Sequence, residues 1–215
     1  MVPDKTIGRL SLYRRLLNVL HEEGAKSVFS HQLAAMAGSS AAQVRRDLMS
    51  VGVMGTVTHG YDVQALIRGI RDFLDAPGGQ GVALVGVGNL GKALLSYFTG
   101  RRPNLQILAA FDADPYKVNR VIHGCPCFNI EECEGVIREK GITVAIVAVP
   151  AATAQAVAER IARAGVTGIL NFAPVRLRLP PGVHVEDLDM TTALEKAAYF
   201  GRRGRREAAA GRINR

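Results

Sequence analysis

Apolar residues recur at helical spacing through the first part of the chain. Leu10, Leu12, Leu16, Leu17, Val19 and Leu20 predict a first helix over 10–23, ended by Gly24. Ser30 stands where an N-cap belongs, ahead of a short second helix over 31–37. Gly38, Ser39 and Ser40 form a turn, and Ser40 caps a third helix from 41 to about 51. Val44 and Leu48, one helical turn apart, face inward there, while Gln43, Arg45, Arg46 and Asp47 fall on the other faces. Residues 52–61 are β-branched and punctuated by glycine, which is the pattern of a hairpin. Asp62 then caps a fourth helix over 63–74, with positions 63, 66, 67, 70, 73 and 74 on one apolar face. The stretch 76–80, Ala-Pro-Gly-Gly-Gln, reads as a linker and a domain boundary.

Beyond the linker the pattern changes to short apolar runs alternating with helical segments. Strands are expected at 82–86, 107–111, 125–129, 144–149 and 167–171, and helices at 89–99, 131–140 and 151–164. Such alternation is the signature of a parallel, doubly wound sheet. A further strand over 183–188 follows Pro180-Pro-Gly182, and Thr191 or Thr192 starts a last helix over about 193–200. The fold class is therefore α/β: a small helical head with a hairpin, then a doubly wound sheet.

The sheet opens on Gly86-Val-Gly-Asn-Leu-Gly91, which is G-x-G-x-x-G between a strand-like run and a helix-like run. Each glycine has a mechanical role. Gly86 allows the tight turn, Gly88 lets a pyrophosphate approach the backbone, and Gly91 lets helix and strand pack closely. Val87, Asn89 and Leu90 complete the loop, whose free N–H groups and helix dipole suit phosphates. The next apolar run ends in Asp112, about twenty residues past the last glycine, where a ribose-binding acid belongs. This is the pattern of a Rossmann-type NAD(H)-binding domain. The carboxylate repels a 2′-phosphate, which favours NAD(H) over NADP(H). Ligands of such sheets lie beyond the carboxyl ends of the strands, which places Val149, Pro150, Asn171 and Phe172 on the nicotinamide side. The competing reading makes these plain strand ends.

The head has its own chemistry. Two short helices joined by a Gly/Ser turn, the second carrying Gln43, Arg45 and Arg46, describe a helix-turn-helix. Arginine reads guanine O6 and N7 or grips phosphate, and glutamine reads adenine N6 and N7. Ser40 sits at the entry to that helix. A hairpin directly after it makes a wing, with His59 and Tyr61 placed along a minor groove. The plain alternative is a helical bundle with a solvated basic face.

Charge sharpens this picture slightly. The chain of 215 residues has 27 basic and 19 acidic groups, net +8. Residues 196–215 carry seven basic groups and one acid, so most of the excess lies at the C-terminus. A basic run over 201–206 reads as a solvated, disordered tail. No run of 18 apolar residues spans a membrane, and residues 1–5 lack signal-peptide order, which points to the cytoplasm. Cys125, Cys127 and Cys133 are an odd set that fits no metal-ligand template, so no metal is expected; free structural thiols are favoured over a redox role.

Order and spacing together resemble Rex, the redox-sensing bacterial repressor family. The resemblance runs over about residues 2–200. It rests on Gln43-Val-Arg-Arg-Asp47, Gly60-Tyr61, Gly86-Val-Gly-Asn-Leu-Gly91, Phe111-Asp-Ala-Asp114, Val149-Pro150 and Ile169-Leu-Asn-Phe-Ala-Pro174. It implies a homodimeric repressor that binds an inverted-repeat double-stranded operator when NADH is scarce and is released by NADH, with NAD⁺ competing for the same site. It implies an interdomain switch through Arg15, Tyr97 and Asp189, with Met190 where the family often has an aromatic near the nicotinamide. It also implies a last helix exchanged between subunits. Domains are then expected at 1–77 (winged helix), 81–188 (NAD(H)), 189–202 (dimerisation helix) and 203–215 (tail). Leu48-Met-Ser-Val-Gly52 departs from the family's usual aromatic stretch, and Thr56-Val-Thr-His59 from its more basic wing.

Two alternatives remain in view. A small NAD-dependent dehydrogenase would need a proton donor near the carbonyl, and no catalytic motif of that kind follows the sheet, so no enzyme is expected. A winged-helix regulator whose Rossmann domain binds another nucleotide, such as a coenzyme A derivative, is the other.

Overall fold

The first helix begins earlier than its apolar spacing suggests, because Pro3 fixes an extended entry and Asp4 complements the helix dipole. The computed structural model describes residues 2–56, 59–101 and 104–213, the last ten as backbone only. It divides into two packed units, 1–78 and 79–215, each described by itself.

In the first unit, α1 (Asp4–Glu22), α2 (Ser30–Ala37), α3 (Ala41–Ser50) and α4 (Val63–Leu74) enclose one core. Leu10, Tyr13, Leu17, Leu33, Val44, Leu48, Val63, Leu66 and Ile70 are buried in it. Caps set the starts of two helices as expected. Ser40 Oγ accepts the Gln43 N–H, and Asp62 Oδ1 accepts the Ala65 N–H. Ser30 is not a cap: Phe29 holds the N-cap position, and its N–H is taken by the Gln32 side chain at 2.8 Å. Phe73 also departs from the predicted core face, since it is exposed. Of the expected hairpin, Thr56 and Gly60 exchange two backbone hydrogen bonds; positions 57–58 lie outside the described residues. The chain then returns as β2 (Tyr61–Asp62), antiparallel to β1 (Ser27–Val28), a two-residue strand too short to leave a periodic signal.

In the second unit a seven-stranded sheet has the order β5-β6-β4-β3-β7-β8-β9. Its strands are β3 (Gln80–Val85), β4 (Leu105–Asp112), β5 (Arg120–Ile122), β6 (Cys125–Asn129), β7 (Ile142–Val147), β8 (Gly168–Asn171) and β9 (His184–Asp187). All pairings are parallel except β5 with β6. β5 was not predicted; it is a short exposed edge. Helices α5 (Asn89–Phe98), α6 (Cys133–Glu139) and α7 (Ala151–Arg163) connect the parallel strands. The chain steps outward from β3 through β4 to β6, then crosses back to β7, β8 and β9. The reversal opens a crevice at the carboxyl ends of β3 and β7, the switch point where such sheets take ligands.

The last helix, α8, spans Met190–Ile213, so it starts close to where it was expected and runs well past the expected end. The basic run over 201–206 is therefore backbone of this helix and not a disordered tail. Asp189 caps it: Oδ1 accepts the Thr192 N–H at 2.9 Å and Oδ2 the Thr192 hydroxyl at 2.6 Å. Every described side chain from Met190 to Arg203 is exposed.

Candidate nucleotide and DNA sites

The turn after β3 is shaped by backbone contacts that admit only glycine. Gly86 has φ +96°, and a Cβ there would run into the Ala148 carbonyl. A Cβ on Gly91 would strike the carbonyl of Gly86, so α5 packs directly on the turn. Gly88 is different: its φ is ordinary, and a Cβ would meet nothing within 4 Å. The space beside it is open and faces a cleft.

That cleft, about 450 Å³, lies at the switch point. It brings together Gly86, Gly88, Asp112, Val149 and Pro150, with Lys117, Ile130 and Thr153 completing the wall. Asp112 ends β4 and ties the loop down. Its Oδ2 accepts the Val87 N–H at 2.7 Å and the Lys117 ammonium at 3.2 Å; its Oδ1 accepts the Asp114 N–H at 2.9 Å. Burial pushes this carboxyl up, but the Asp114 and Val87 N–H groups and Lys117 outweigh it and hold the group below its usual range. A charged carboxylate thus faces the cleft beside the glycine turn. Lys117 was missed from sequence; its only signal is a position five residues past the acid.

Other predicted cofactor residues sit away from this wall. Val87 is buried, and it contributes its N–H to Asp112. Asn89, Leu90 and Gly91 belong to the first turn of α5. Asn171 departs from the expected lining role. It is 1% exposed, its amide donates to the Ala173 and Val175 carbonyls and to Asp187, and its oxygen accepts the Ala173 N–H. It holds the turn after β8 together instead. Phe172 packs against the core on one side of the sheet.

In the head, α3 presents Arg45 and Arg46 to solvent, while Gln43 is half-buried. Arg45 Nη1 reaches the Ser30 hydroxyl at 3.1 Å. His59 is exposed, and its N–H bonds the Thr56 hydroxyl. Tyr61 is half-buried, with its ring against Gly55 and the core.

Asp47 corrects the sequence reading most clearly. It was expected off the inward face and is instead 2% exposed. Arg9 forks onto it, Nε to Oδ2 at 2.6 Å and Nη2 to Oδ1 at 2.8 Å, and the Tyr13 hydroxyl donates to Oδ2 at 3.0 Å. Gln43 donates to Oδ1 at 2.8 Å. Burial opposes the charge, but these donors outweigh it and hold the carboxyl below its usual range. Arg9 and Tyr13 come from α1, far away in sequence, so no local pattern announces them.

Residues 79–175 match the family model described as "CoA binding domain", and residues 1–48 the one described as "Putative DNA-binding protein N-terminus". A redox-sensing transcriptional repressor Rex from Listeria welshimeri is 40% identical over 199 residues, which is 93% of each chain. The chain belongs to the Rex family. A Rex from Roseiflexus sp. is 41% identical over 92% of this chain and 90% of its own. Among solved structures, RSP, a Rex-family repressor, bound to NAD⁺ and operator DNA superposes with a TM-score of 0.87 at 28% identity, over 100% of this chain and 97% of that one. The NADH complex of RSP gives 0.84 at 27% identity, over 97% and 98%.

The residues that the Rex resemblance marks as a switch are surface groups within their own units. Arg15 is exposed on α1. Tyr97 is 56% exposed, with the Arg101 guanidinium 4.6 Å from its ring centre. Asp189 is the α8 cap, and Met190, the first residue of α8, is exposed. The three cysteines are buried and unpaired; burial pushes the Cys125 thiol up to about 11. Among the described residues no metal-holding group includes a cysteine.

Proposed function

We propose that this Rex repressor works as a homodimer that binds an inverted-repeat operator through a winged-helix head, at low NADH, in the cytoplasm. NADH and NAD⁺ compete for the cleft beside Gly86, Gly88 and Asp112. The observation that carries the ligand is Asp112, an ionised carboxylate facing the cleft and held by Val87, Asp114 and Lys117. Such a group accepts a ribose diol and repels a ribose phosphate. NAD(H) offers the diol; NADP(H) and coenzyme A carry a phosphate on that ribose. The dehydrogenase alternative falls with family membership, because the Rex relatives are transcriptional repressors.

Arg45 and Arg46 on α3 supply major-groove contacts, with Ser40 and Gln43 at its start; His59 and Tyr61 belong to the wing. On the nicotinamide side, Val149, Pro150 and Phe172 line the approach. Dimerisation falls to α8, which exposes Met190, Leu194, Tyr199 and Phe200. Large apolar side chains grouped on an exposed helix mark an interface, and exchange of the helix between subunits would bury them. Arg15 and Asp189 form the switch pair, with Tyr97 and Met190 reporting the nicotinamide. NADH must favour one arrangement of the dimer to shift it, and two half-sites demand a fixed separation of recognition helices.

The test is operator binding by the purified protein on an inverted-repeat DNA pool at fixed salt, titrated separately with NADH, NAD⁺ and coenzyme A. Release by NADH at much lower concentration than NAD⁺, with coenzyme A inert, is the expected result. Tight DNA binding indifferent to both dinucleotides would remove the redox reading. Release by coenzyme A alone would move the ligand assignment.

A further inference from the structure

The carboxylate of Asp47 has four donors on two oxygens: two from Arg9, one from Tyr13 and one from Gln43. Four is about its full capacity, so the group is saturated and fixed. The Arg9 fork and the Tyr13 hydroxyl come from α1, which anchors the carboxylate to the core of the head. Gln43 is the only donor on α3 itself, one turn before Asp47 on the same face. One of its two amide N–H groups is thereby committed, which fixes the plane of the amide. Its amide oxygen, turned the other way, accepts from Arg46 Nη1 at 3.4 Å.

A glutamine that reads adenine presents its N–H and its oxygen side by side, donating to N7 and accepting from N6. Here one N–H points back along the helix to a buried anion and the oxygen meets a neighbouring guanidinium, so both polar atoms of the amide already have a partner within the head. Gln43 is half-buried, while Arg46 projects into solvent. Among the described residues Arg46 has only this one contact, at 3.4 Å, and its remaining N–H groups lie on the exposed face.

We infer that Gln43 is a positioning residue that reads no base: Asp47 orients its amide, and the amide oxygen aims Arg46, which carries the base preference. The relay runs Arg9 and Tyr13 to Asp47, to Gln43, to Arg46. It makes specificity at the Arg46 position depend on a side chain that does not touch the DNA. This rests on the reading of α3 as the recognition helix.

The experiment is selection of the full-length protein on inverted-repeat duplexes with randomised half-sites, without nucleotide, at fixed salt. Wild type is compared with Gln43→Ala, Gln43→Glu, Arg45→Ala, Arg46→Ala and the Gln43→Ala/Arg46→Ala double variant, each checked for an unchanged melting temperature. Gln43 and Arg46 lie at the surface of α3, so the variants are expected to fold. The relay predicts that Gln43→Ala relaxes preference at the same base pair as Arg46→Ala, by about tenfold. The double variant should then be no more relaxed than Arg46→Ala alone, the non-additivity of groups acting as one unit. Gln43→Glu should not rescue, because a carboxylate cannot donate to Asp47 and is repelled by it.

Relaxation at a different base pair, adding independently to that of Arg46→Ala, would overturn the inference and make Gln43 a reader. A rescue by Gln43→Glu would also overturn it. If Arg46→Ala lowers affinity evenly for all sequences, Arg46 holds phosphate and the relay aims no reader. If neither Arg45→Ala nor Arg46→Ala changes binding, the fault lies in the recognition-helix reading itself.

Discussion

Gly88 and Gly91 stand three residues apart and answer to different demands. Gly91 has the Gly86 carbonyl where a Cβ would go, so Gly91→Ala is expected to lower the melting temperature of the second unit and abolish NADH binding together. Gly88 has open space and an ordinary backbone. Gly88→Ala should therefore melt like wild type and yet bind NADH at least about tenfold more weakly, near 1.4 kcal/mol. Calorimetry and thermal melts on both variants check the contrast; equal melting losses would sink it. Asp112→Ala removes the proposed ribose acceptor and the anchor of Val87, and should weaken NADH by roughly 1–3 kcal/mol. The unfolded chain contains neither role, and sequence spacing suggests only the first. The tight turn at Gly86 and the close packing at Gly91 were legible because those jobs are local and their spacing is fixed by the turn. Lys117 was not, because a lysine five residues past an acid is common on any surface.

At the scale of elements, the cap residues Ser40 and Asp62 were readable for the same reason: each bonds an N–H three residues away. Asp47 was not, because its partners Arg9 and Tyr13 are on another helix. Its pairing stabilises α3 against α1. The folded chain favours the charged form, so the contribution is complete above the unfolded value, near about 3.9, and fades as pH falls through the lower folded value. Asp47→Asn should cost about 3 kcal/mol at neutral pH, the low end for a broken buried pair since Arg9 is partly exposed. The gap from wild type should narrow as melts are taken below about pH 4. A gap that is constant with pH would argue against a charged Asp47. The short strands β1 and β5 escaped the sequence reading because two or three residues carry no period. α8 was underestimated because glycine and arginine in 201–206 suggested a break, yet arginine is a good helix former.

At the scale of the whole molecule, the two units carry separate cores, one for DNA and one for nucleotide. In the proposed homodimer the second copy would pack on α8, which exposes Met190, Leu194, Tyr199 and Phe200. A chain ending at Leu188 should run as a monomer by light scattering and bind the operator at least about a hundredfold more weakly, the loss expected when two linked half-site contacts become one. A dimer of unchanged stability would place the interface elsewhere.

The buried cysteines give this molecule a kind of chemical deafness. A thiol must be exposed and ionised to meet a peroxide, and Cys125, Cys127 and Cys133 are enclosed, with Cys125 resisting ionisation to about 11. Millimolar peroxide should leave operator binding and its release by NADH unmoved. The protein would then hear the reductant pool through the nucleotide alone and ignore the oxidants that travel with it. The same three sulfurs become a clock for breathing of the sheet, since a thiol reagent can label them only as fast as the second unit opens.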